Sequence, residues 1–190
     1  MVEKNKDPNI NELGFPIDLE YGKFMFEKQL DAGGQGVVCL YRSIPPKNNQ
    51  PLYPELVAVK FDPTTETNNL TETLWLKDIW VRISNENLKM NIPKYYMHSF
   101  HKGRRFFVMT YLPESLNDLI NSKGPERKDS MISDVAVKML DAVEQLHNLG
   151  YLHRDIKPSN FRVKDGQVFI TDFGTVQSYL DENGGNHIKE

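Results

Sequence analysis

Nine consecutive residues, His153 to Phe161 (HRDIKPSNF), carry the side chains with the clearest chemical potential in this chain. Asp155 can accept the proton of an attacking hydroxyl, and Lys157 can neutralise charge on a moving phosphate. Asn160, together with Asp172 of a downstream Asp-Phe-Gly, supplies two oxygen ligands of the kind that magnesium prefers. Because phosphoryl transfer depends on positioning and charge neutralisation, these four side chains together predict a phosphoryl-transfer site.

A lysine at the end of an alternating β-branched run is the next candidate. The run Val57 to Lys60 (VAVK) predicts a strand. Lys60 would hold the α- and β-phosphates of a nucleotide if an acidic side chain kept its ammonium group in place. Glu72 is the preferred partner, because it lies in an amphipathic helix predicted over 69–80. Glu66, in the polar run that leads into this helix, is the alternative.

A glycine-rich hairpin precedes that strand. Gly33, Gly34 and Gly36 have no side chains, so backbone N–H groups there could approach phosphate oxygens closely. Of the pattern G-x-G-x-x-G-x-V, which is found in phosphate-binding loops, Gly33, Gly36 and Val38 fit. The pattern is imperfect, because Asp31 stands at the position of the first glycine.

The remaining periodicity predicts an α+β fold with strands first and helices later. Candidate strands run over 24–30, 37–41, 56–61, 95–101, 105–112 and 168–170. A second helix is predicted over 129–149, buried on one side through Met131, Val135, Leu140, Val143 and Leu146. The turn between the fourth and fifth strands carries Lys102, Arg104 and Arg105, which are expected to form a solvated hairpin tip.

The chain resembles a eukaryotic protein kinase of the casein kinase one group, with the tau-tubulin kinases and vaccinia-related kinases as close comparisons. The motifs above carry this resemblance, and so does the segment 108–119 (VMTYLPESLNDL), which is similar to that group's hinge. Asn160 followed by Phe161, and more faintly the tail 186–190, are also typical of the group. The resemblance implies a two-lobed kinase fold: a polar lead-in over 1–19, an N-lobe with an antiparallel sheet and one helix over 20–111, and a helical C-lobe over 112–190.

The same resemblance assigns roles to residues around the nucleotide. It makes Met109 the gatekeeper, the backbone of Thr110 and Leu112 the hinge contacts to adenine, and Val38 with Ala58 the cap on the upper face of the ring. The implied cofactors are ATP and Mg²⁺.

His153 is expected to support the catalytic loop by packing and hydrogen bonding rather than to act as an acid or base. The family position of Arg154 implies a charged partner in the activation segment.

The implied activity is that of a serine/threonine kinase acting on protein hydroxyls, since Lys157 is typical of that class. A nucleotide-binding or partner-binding scaffold without efficient catalysis is the alternative. One departure from the family is Arg162, which stands where a small or apolar residue usually lies under the adenine ring. A buried guanidinium without a partner is costly, so this side chain is expected to extend towards solvent.

The printed sequence stops sixteen residues after Gly174, inside the expected activation segment. The C-lobe is therefore expected to be incomplete, which would leave apolar side chains of the 129–149 helix uncovered. A patch of that kind invites a protein partner.

Composition is that of a globular chain, with 39% hydrophobic residues, 26% charged residues and a net charge of -3. This balance favours neither nucleic acid nor a membrane as a partner. The N-terminus lacks the apolar core of a signal peptide, so a cytoplasmic or nuclear location is expected. A single cysteine, Cys39, excludes an internal disulfide and is expected to act as a small hydrophobic residue.

Overall fold

The computed structural model describes residues 17–19, 22–33, 36–45, 50–62, 71–122 and 125–180, with the side chains of residues 71 and 125–130 left aside. The chain forms two compact units, one of residues 1–69 and 94–111, the other of residues 70–93 and 112–190.

The strands are β1 (Ile17–Leu19), β2 (Gly22–Gly33), β3 (Gly36–Ile44), β4 (Leu56–Phe61), β5 (Tyr95–His101), β6 (Arg104–Thr110), β7 (Glu114–Ser115), β8 (Tyr151–Leu152), β9 (Phe161–Lys164), β10 (Gln167–Ile170) and β11 (Gln177–Ser178). The α-helices are α1 (Thr71–Asn85), α2 (Leu116–Asn121) and α3 (Pro125–Asn148), and a 3₁₀ turn spans Pro158–Asn160.

The first unit contains a six-stranded antiparallel sheet in the order β1-β2-β3-β4-β6-β5. Successive side chains of a strand point to opposite faces. One face of the central strand β4 presents Val57, Val59 and Phe61, all fully buried, to an apolar core that also holds Cys39 and Tyr41. Cys39 is thus a core residue, as predicted, and burial raises the pKa of its thiol to about 11.

The predicted strands 56–61 and 95–101 are confirmed with the same bounds, and the others differ at their ends. β1 lies in the segment predicted to be a polar lead-in, where Ile17 is buried and pairs with Phe24. A segment of three residues is too short for an alternating pattern to predict a strand.

Arg105 does not belong to a solvated hairpin tip, so that prediction is wrong for this residue. It is 9% exposed, and its Nε lies 3.4 Å from Oδ2 of Asp62, which is 8% exposed. Asp62 follows β4, and its N–H donates to the carbonyl oxygen of Arg105, which extends the β4–β6 ladder by one step. Lys102, by contrast, is exposed at the tip as predicted.

The second unit contains the three helices and two small sheets, β10-β9-β7 and β11-β8. Helix α2 begins after Ser115, whose hydroxyl accepts a hydrogen bond from the N–H of Asp118 at 3.1 Å and so caps the helix. Helix α1 extends five residues beyond the predicted end and buries Leu76, Ile79 and Ile83.

Helix α3 confirms the predicted second helix, which begins four residues earlier than expected. Val135, Val143 and Leu146 are buried as predicted, but the prediction for Leu140 is wrong, because that side chain is 70% exposed. The described part of α3 therefore shows several exposed apolar side chains on its outer side, namely Ile132, Val137 and Leu140. Among the described helices, none is both long enough and apolar enough to cross a bilayer.

Candidate active site

The carboxylate of Asp155 is the centre of the candidate active site in the second unit. Its Oδ2 accepts a hydrogen bond from Nζ of Lys157 at 2.8 Å and another from Nδ2 of Asn160 at 2.9 Å. The 3₁₀ turn Pro158–Asn160 folds the chain back so that both donors reach the same oxygen. Both of these bonds use Oδ2, so neither of the two donors occupies Oδ1.

The two donors also set the electrostatics of this carboxylate. The hydrogen bond from Lys157, followed by the one from Asn160, lowers the pKa of Asp155 below its ordinary value. The hydrogen bond to Asp155 in turn raises the pKa of Lys157, and the nearby carboxylate of Asp172 adds to this effect. At neutral pH the site therefore holds an ionised carboxylate, able to accept a proton, beside a fully charged ammonium group.

The amide of Asn160 is oriented by its own hydrogen bonds. Nδ2 donates to the backbone carbonyl of Asp155 at 2.8 Å as well as to Oδ2. Two acceptors around one atom require it to be the nitrogen, which fixes the amide orientation. Asn160 is 5% exposed, so the orientation is held by burial as well. The Oδ1 of Asn160 consequently remains as an oxygen ligand for a cation.

A magnesium ion fits this donor set. The described residues contain no group of three or more His, Cys, Asp or Glu side chains arranged to hold a metal. Magnesium needs no such group, because it is commonly held by one or two protein oxygens together with phosphate oxygens and water. Asn160 and Asp172 would be those protein ligands, and the metal would neutralise charge on a transferring phosphate.

Asp172 is positioned by a strained backbone and by its neighbour. Its φ is 67°, in the left-handed region that non-glycine residues seldom adopt, and Arg154 next to Asp155 has a φ of 64°. Thr171 donates both its N–H and its hydroxyl to the carbonyl oxygen of Asn160, at 2.8 and 3.0 Å. Thr171 thus ties the two predicted metal ligands together. Strained residues held by several contacts are frequent at functional sites.

His153 is a buried support for the same loop. Its Nε2 lies 2.9 Å from the carbonyl oxygen of Thr171, which can only accept, so Nε2 carries the proton. Its ring meets that of Phe173 with 5.8 Å between centroids. Burial lowers the pKa of His153 and favours the neutral form. The prediction that His153 supports the catalytic loop by packing and hydrogen bonding matches this geometry.

Glu72 also contacts this region. Its Oε1 accepts a hydrogen bond from the N–H of Phe173 at 3.3 Å, which links the start of helix α1 to the Asp-Phe-Gly segment. No local sequence pattern indicates this bond, since the two residues are 101 positions apart. The pairing of Glu72 with Lys60, residues of different units, stays a prediction, and Glu66 lies outside the described residues.

In the first unit, the register of the sheet brings several predicted nucleotide contacts to one face. Val38 lies opposite Lys60, and Ala58 lies opposite Met109. Ala58 and Lys60 are two residues apart on β4, so all four share the face that is turned away from the apolar core. Lys60 is 7% exposed and Ala58 is 4% exposed.

For the hinge and the glycine-rich hairpin, the structure bears on only some of the predicted nucleotide contacts. The N–H of Thr110 donates to the carbonyl oxygen of Lys94 at 2.9 Å, so only the carbonyl of Thr110 can serve as an adenine contact. Leu112 is buried in the second unit. Gly33 pairs with Gly36 at the end of the β2–β3 hairpin, and Gly36 has a φ of 117°. Gly34 lies outside the described residues.

Arg154 has partners that differ from the expected one. Its Nε donates to the carbonyl oxygen of Thr175 and its Nη1 to Oε1 of Gln177, both at 2.7 Å. The expectation was a charged partner in the activation segment, and the segment is right whereas these two partners are neutral. The hydroxyl of Thr175 also donates to the carbonyl of His153 at 2.8 Å. Thr171, Thr175 and Gln177 were missed because no sequence pattern marks a hydroxyl that donates to a distant backbone carbonyl, or an amide oxygen that accepts from a distant guanidinium.

Arg162 and Asp31, the two residues that depart from the family pattern, have defined surroundings. Arg162 lies in β9 between Phe169 of β10 and Ser115 of β7, and it is only partly buried. Asp31 is exposed, and its Oδ1 accepts the N–H of Ala32 at 2.8 Å. Their effects on nucleotide binding stay open predictions.

Comparisons with known proteins show which family and which relatives the chain is similar to. A family model described as the protein kinase domain matches residues 25–188. Casein kinase I homolog 1 of Saccharomyces cerevisiae is 32% identical over 138 residues, which cover 70% of this chain and 25% of the yeast protein. Casein kinase I homolog RAG8 of Kluyveromyces lactis is 29% identical over 167 residues, covering 85% of this chain and 29% of its own length. The human serine/threonine-protein kinase LATS1 is 31% identical over 160 residues, 82% of this chain and 13% of LATS1. The chain therefore spans less than a third of the length of each of these relatives.

Proposed function

The chain belongs to the protein kinase family, in the casein kinase one group, and from that membership we propose that it transfers the γ-phosphoryl group of Mg-ATP to serine or threonine hydroxyls of proteins. The observation that carries the proposal is the shared hydrogen bonding of Lys157 and Asn160 to one oxygen of Asp155. The finer likeness to tau-tubulin or vaccinia-related kinases stays a prediction.

In this proposal, each candidate residue of the second unit has its own role in phosphoryl transfer. Oδ1 of Asp155 accepts the proton of the attacking hydroxyl, and the low pKa of this carboxylate keeps it ionised. Lys157, with its raised pKa, supplies a positive charge beside the transferring group. Asn160 and Asp172 would hold Mg²⁺. Glu72 holds the N–H of Phe173 and so restricts the segment that carries Asp172.

Roles in the first unit belong to the proposal as well. Lys60 would bind the α- and β-phosphates, and Val38, Ala58 and Met109 would face the adenine, since they share one face of the sheet with Lys60. A cytoplasmic or nuclear location and a protein partner over the exposed side of α3 are further proposals, the latter supported by the exposure of Val137 and Leu140.

The test is a transfer assay with γ-labelled ATP, Mg²⁺ and a serine/threonine peptide library. Asp155→Asn should lower kcat by about 10²- to 10⁴-fold, the range typical of a general base. Asp165→Asn is the matched control, because Asp165 is exposed, lies in a tight turn at φ 51°, and asparagine tolerates that conformation. Equal turnover by Asp155→Asn and the parent would refute the assignment. Mg-ATP binding without any turnover by the parent would support the scaffold alternative.

A further inference from the structure

A cluster of four side chains joins helix α1 to the strand that precedes the catalytic loop. The hydroxyl of Tyr151 donates to Oδ2 of Asp78, and Nε of Arg82 lies 3.8 Å from that same oxygen. The guanidinium carbon of Arg82 lies 5.1 Å from the centroid of the Tyr151 ring, within cation–π range. Trp75 meets the same ring edge-on, with 5.9 Å between centroids. Tyr151 is 1% exposed, so these contacts converge on a buried ring.

Hydrogen bonds from the end of helix α1, and from the segment that follows it, reach the same region. Nη1 of Arg82 donates to the carbonyl oxygen of Leu149 at 3.4 Å. Beyond the helix, the N–H of Asn91 donates to Oε1 of Gln145 on α3 at 2.7 Å, and the N–H of Ile170 donates to the carbonyl of Asn91 at 3.0 Å. The segment 70–93 accordingly groups with the catalytic residues as one compact unit.

Glu72 belongs to the same face of α1 as this cluster. Positions 72, 75, 78 and 82 follow spacings of three and four, which place their side chains along one side of a helix. Glu72 contacts Phe173 at one end of that face, and Arg82 contacts Tyr151 at the other. Tyr151 is two residues before His153 and four before Asp155. Helix α1 therefore contacts both the Asp-Phe-Gly segment and the strand that precedes the catalytic loop.

We propose that Tyr151 and Arg82 are positioning residues for phosphoryl transfer. They touch no reacting group; they fix helix α1 so that Glu72 stays in register with Phe173. The inference rests on the proposed function for its kinetic consequence, since Glu72 matters to catalysis only if the site transfers phosphate. Its structural half, the anchoring of α1, does not depend on turnover.

The kinetic test is a double-mutant cycle between Tyr151→Phe and Glu72→Met, which removes the acceptor of the Phe173 N–H. Tyr151→Phe removes one hydroxyl and keeps the ring that Trp75 and Arg82 contact. It should lower kcat by about tenfold, the order of one hydrogen bond to a charged group. In the Glu72→Met background the same change should have almost no further effect, because contacts acting through one residue are not additive. Independent, multiplying losses of kcat in the double variant would overturn the positioning role.

The structural test is amide hydrogen exchange, which needs no activity. In Tyr151→Phe and in Arg82→Met, the amides of residues 71–85 should exchange about 10-fold faster, while those of β3 and β4 in the first unit keep their parental rates. Lys77→Met is the matched control, since Lys77 is an exposed cation of the same helix. Unchanged exchange in both variants would overturn the anchoring.

The two tests separate the ways in which the inference could fail. Faster exchange together with additive kinetics would make the cluster a stabiliser of the fold alone, and the positioning role would be rejected. A parent without turnover would reject the proposed function, while the exchange rates would still decide whether the cluster anchors α1.

Discussion

Replacing Arg105 by methionine should leave a buried carboxylate without its main counter-charge. Asp62 and Arg105 are each less than a tenth exposed, and the atoms Nε and Oδ2 are 3.4 Å apart. Oδ2 of Asp62 accepts no hydrogen bond among the described residues. Methionine keeps most of the volume of the arginine stem, so the change tests charge more than packing.

The expected loss of unfolding free energy is about 2–4 kcal/mol. Removing one partner of a buried ion pair costs about 3–5 kcal/mol in general. The value here should lie towards the lower end, because Lys60 is close enough to stabilise the charge of Asp62 as well. The double variant Asp62→Asn/Arg105→Met leaves no buried carboxylate behind, so it should lose less than Arg105→Met alone.

The loss should also depend on pH in a definite direction. Burial raises the pKa of Asp62, and Arg105 followed by Lys60 opposes that rise. Without Arg105 the folded-state pKa rises further above the unfolded value. The destabilisation is therefore present above the folded pKa and shrinks as pH falls through it, because Asp62 then becomes neutral. The double variant should lack this dependence.

The assay is urea unfolding followed by far-UV circular dichroism at pH 8 and pH 5, with each variant compared to the parent at the same pH. Lys102→Met serves as the control, because Lys102 is an exposed cation of the same hairpin. A loss under 1 kcal/mol for Arg105→Met at pH 8, equal to that of the control, would refute the reasoning. So would a larger loss at pH 5 than at pH 8.

Three further changes have defined outcomes. Lys157→Met removes the largest influence that lowers the pKa of Asp155, so the acid limb of the kcat/KM profile should move to higher pH; an unmoved limb would contradict this. Asn160→Ala removes two hydrogen bonds to Asp155 and should lower kcat by about 10²-fold in the transfer assay, whereas a smaller loss than that of Asp165→Asn would argue against its role. Gly150→Ala should lose about 1–3 kcal/mol in urea unfolding, because φ is +87° and the added Cβ would lie 2.5 Å from Cδ1 of Leu180. Adding Leu180→Ala should recover only the part that comes from the clash, and full recovery would show that the backbone angle costs nothing.

Much of the candidate site could be predicted from the sequence because its residues are close together along the chain. Asp155, Lys157 and Asn160 lie within six positions, and the 3₁₀ turn that unites them begins at a proline. The strand that carries Lys60 could also be predicted, because its β-branched residues occupy every second position, as in a strand with one buried face. The α+β fold predicted from the order of these elements is confirmed, and so is the antiparallel sheet that the resemblance implied.

The errors have a common physical origin in long-range contacts. Arg105 looked like part of a polar turn, but its environment is set by Asp62, which is 43 positions away. Leu140 fits the apolar period of α3 and is nevertheless 70% exposed, because periodicity does not say which apolar positions are covered by a neighbour. Two-residue strands such as β8 and β11 are defined only by their pairing with each other. Local patterns carry no information about such partners.

The central claim is that Asp155, Asn160 and Asp172 surround one metal–triphosphate group. The most direct measurement is nuclear magnetic resonance of the labelled chain with Mn²⁺-ATP compared with Mg²⁺-ATP, since a paramagnetic ion broadens signals from nearby nuclei. We predict strong broadening of the backbone amides of these three residues with Mn²⁺-ATP, and sharp signals from the same amides with Mg²⁺-ATP. Sharp signals from all three with Mn²⁺-ATP, and broadening elsewhere in the chain, would contradict the account.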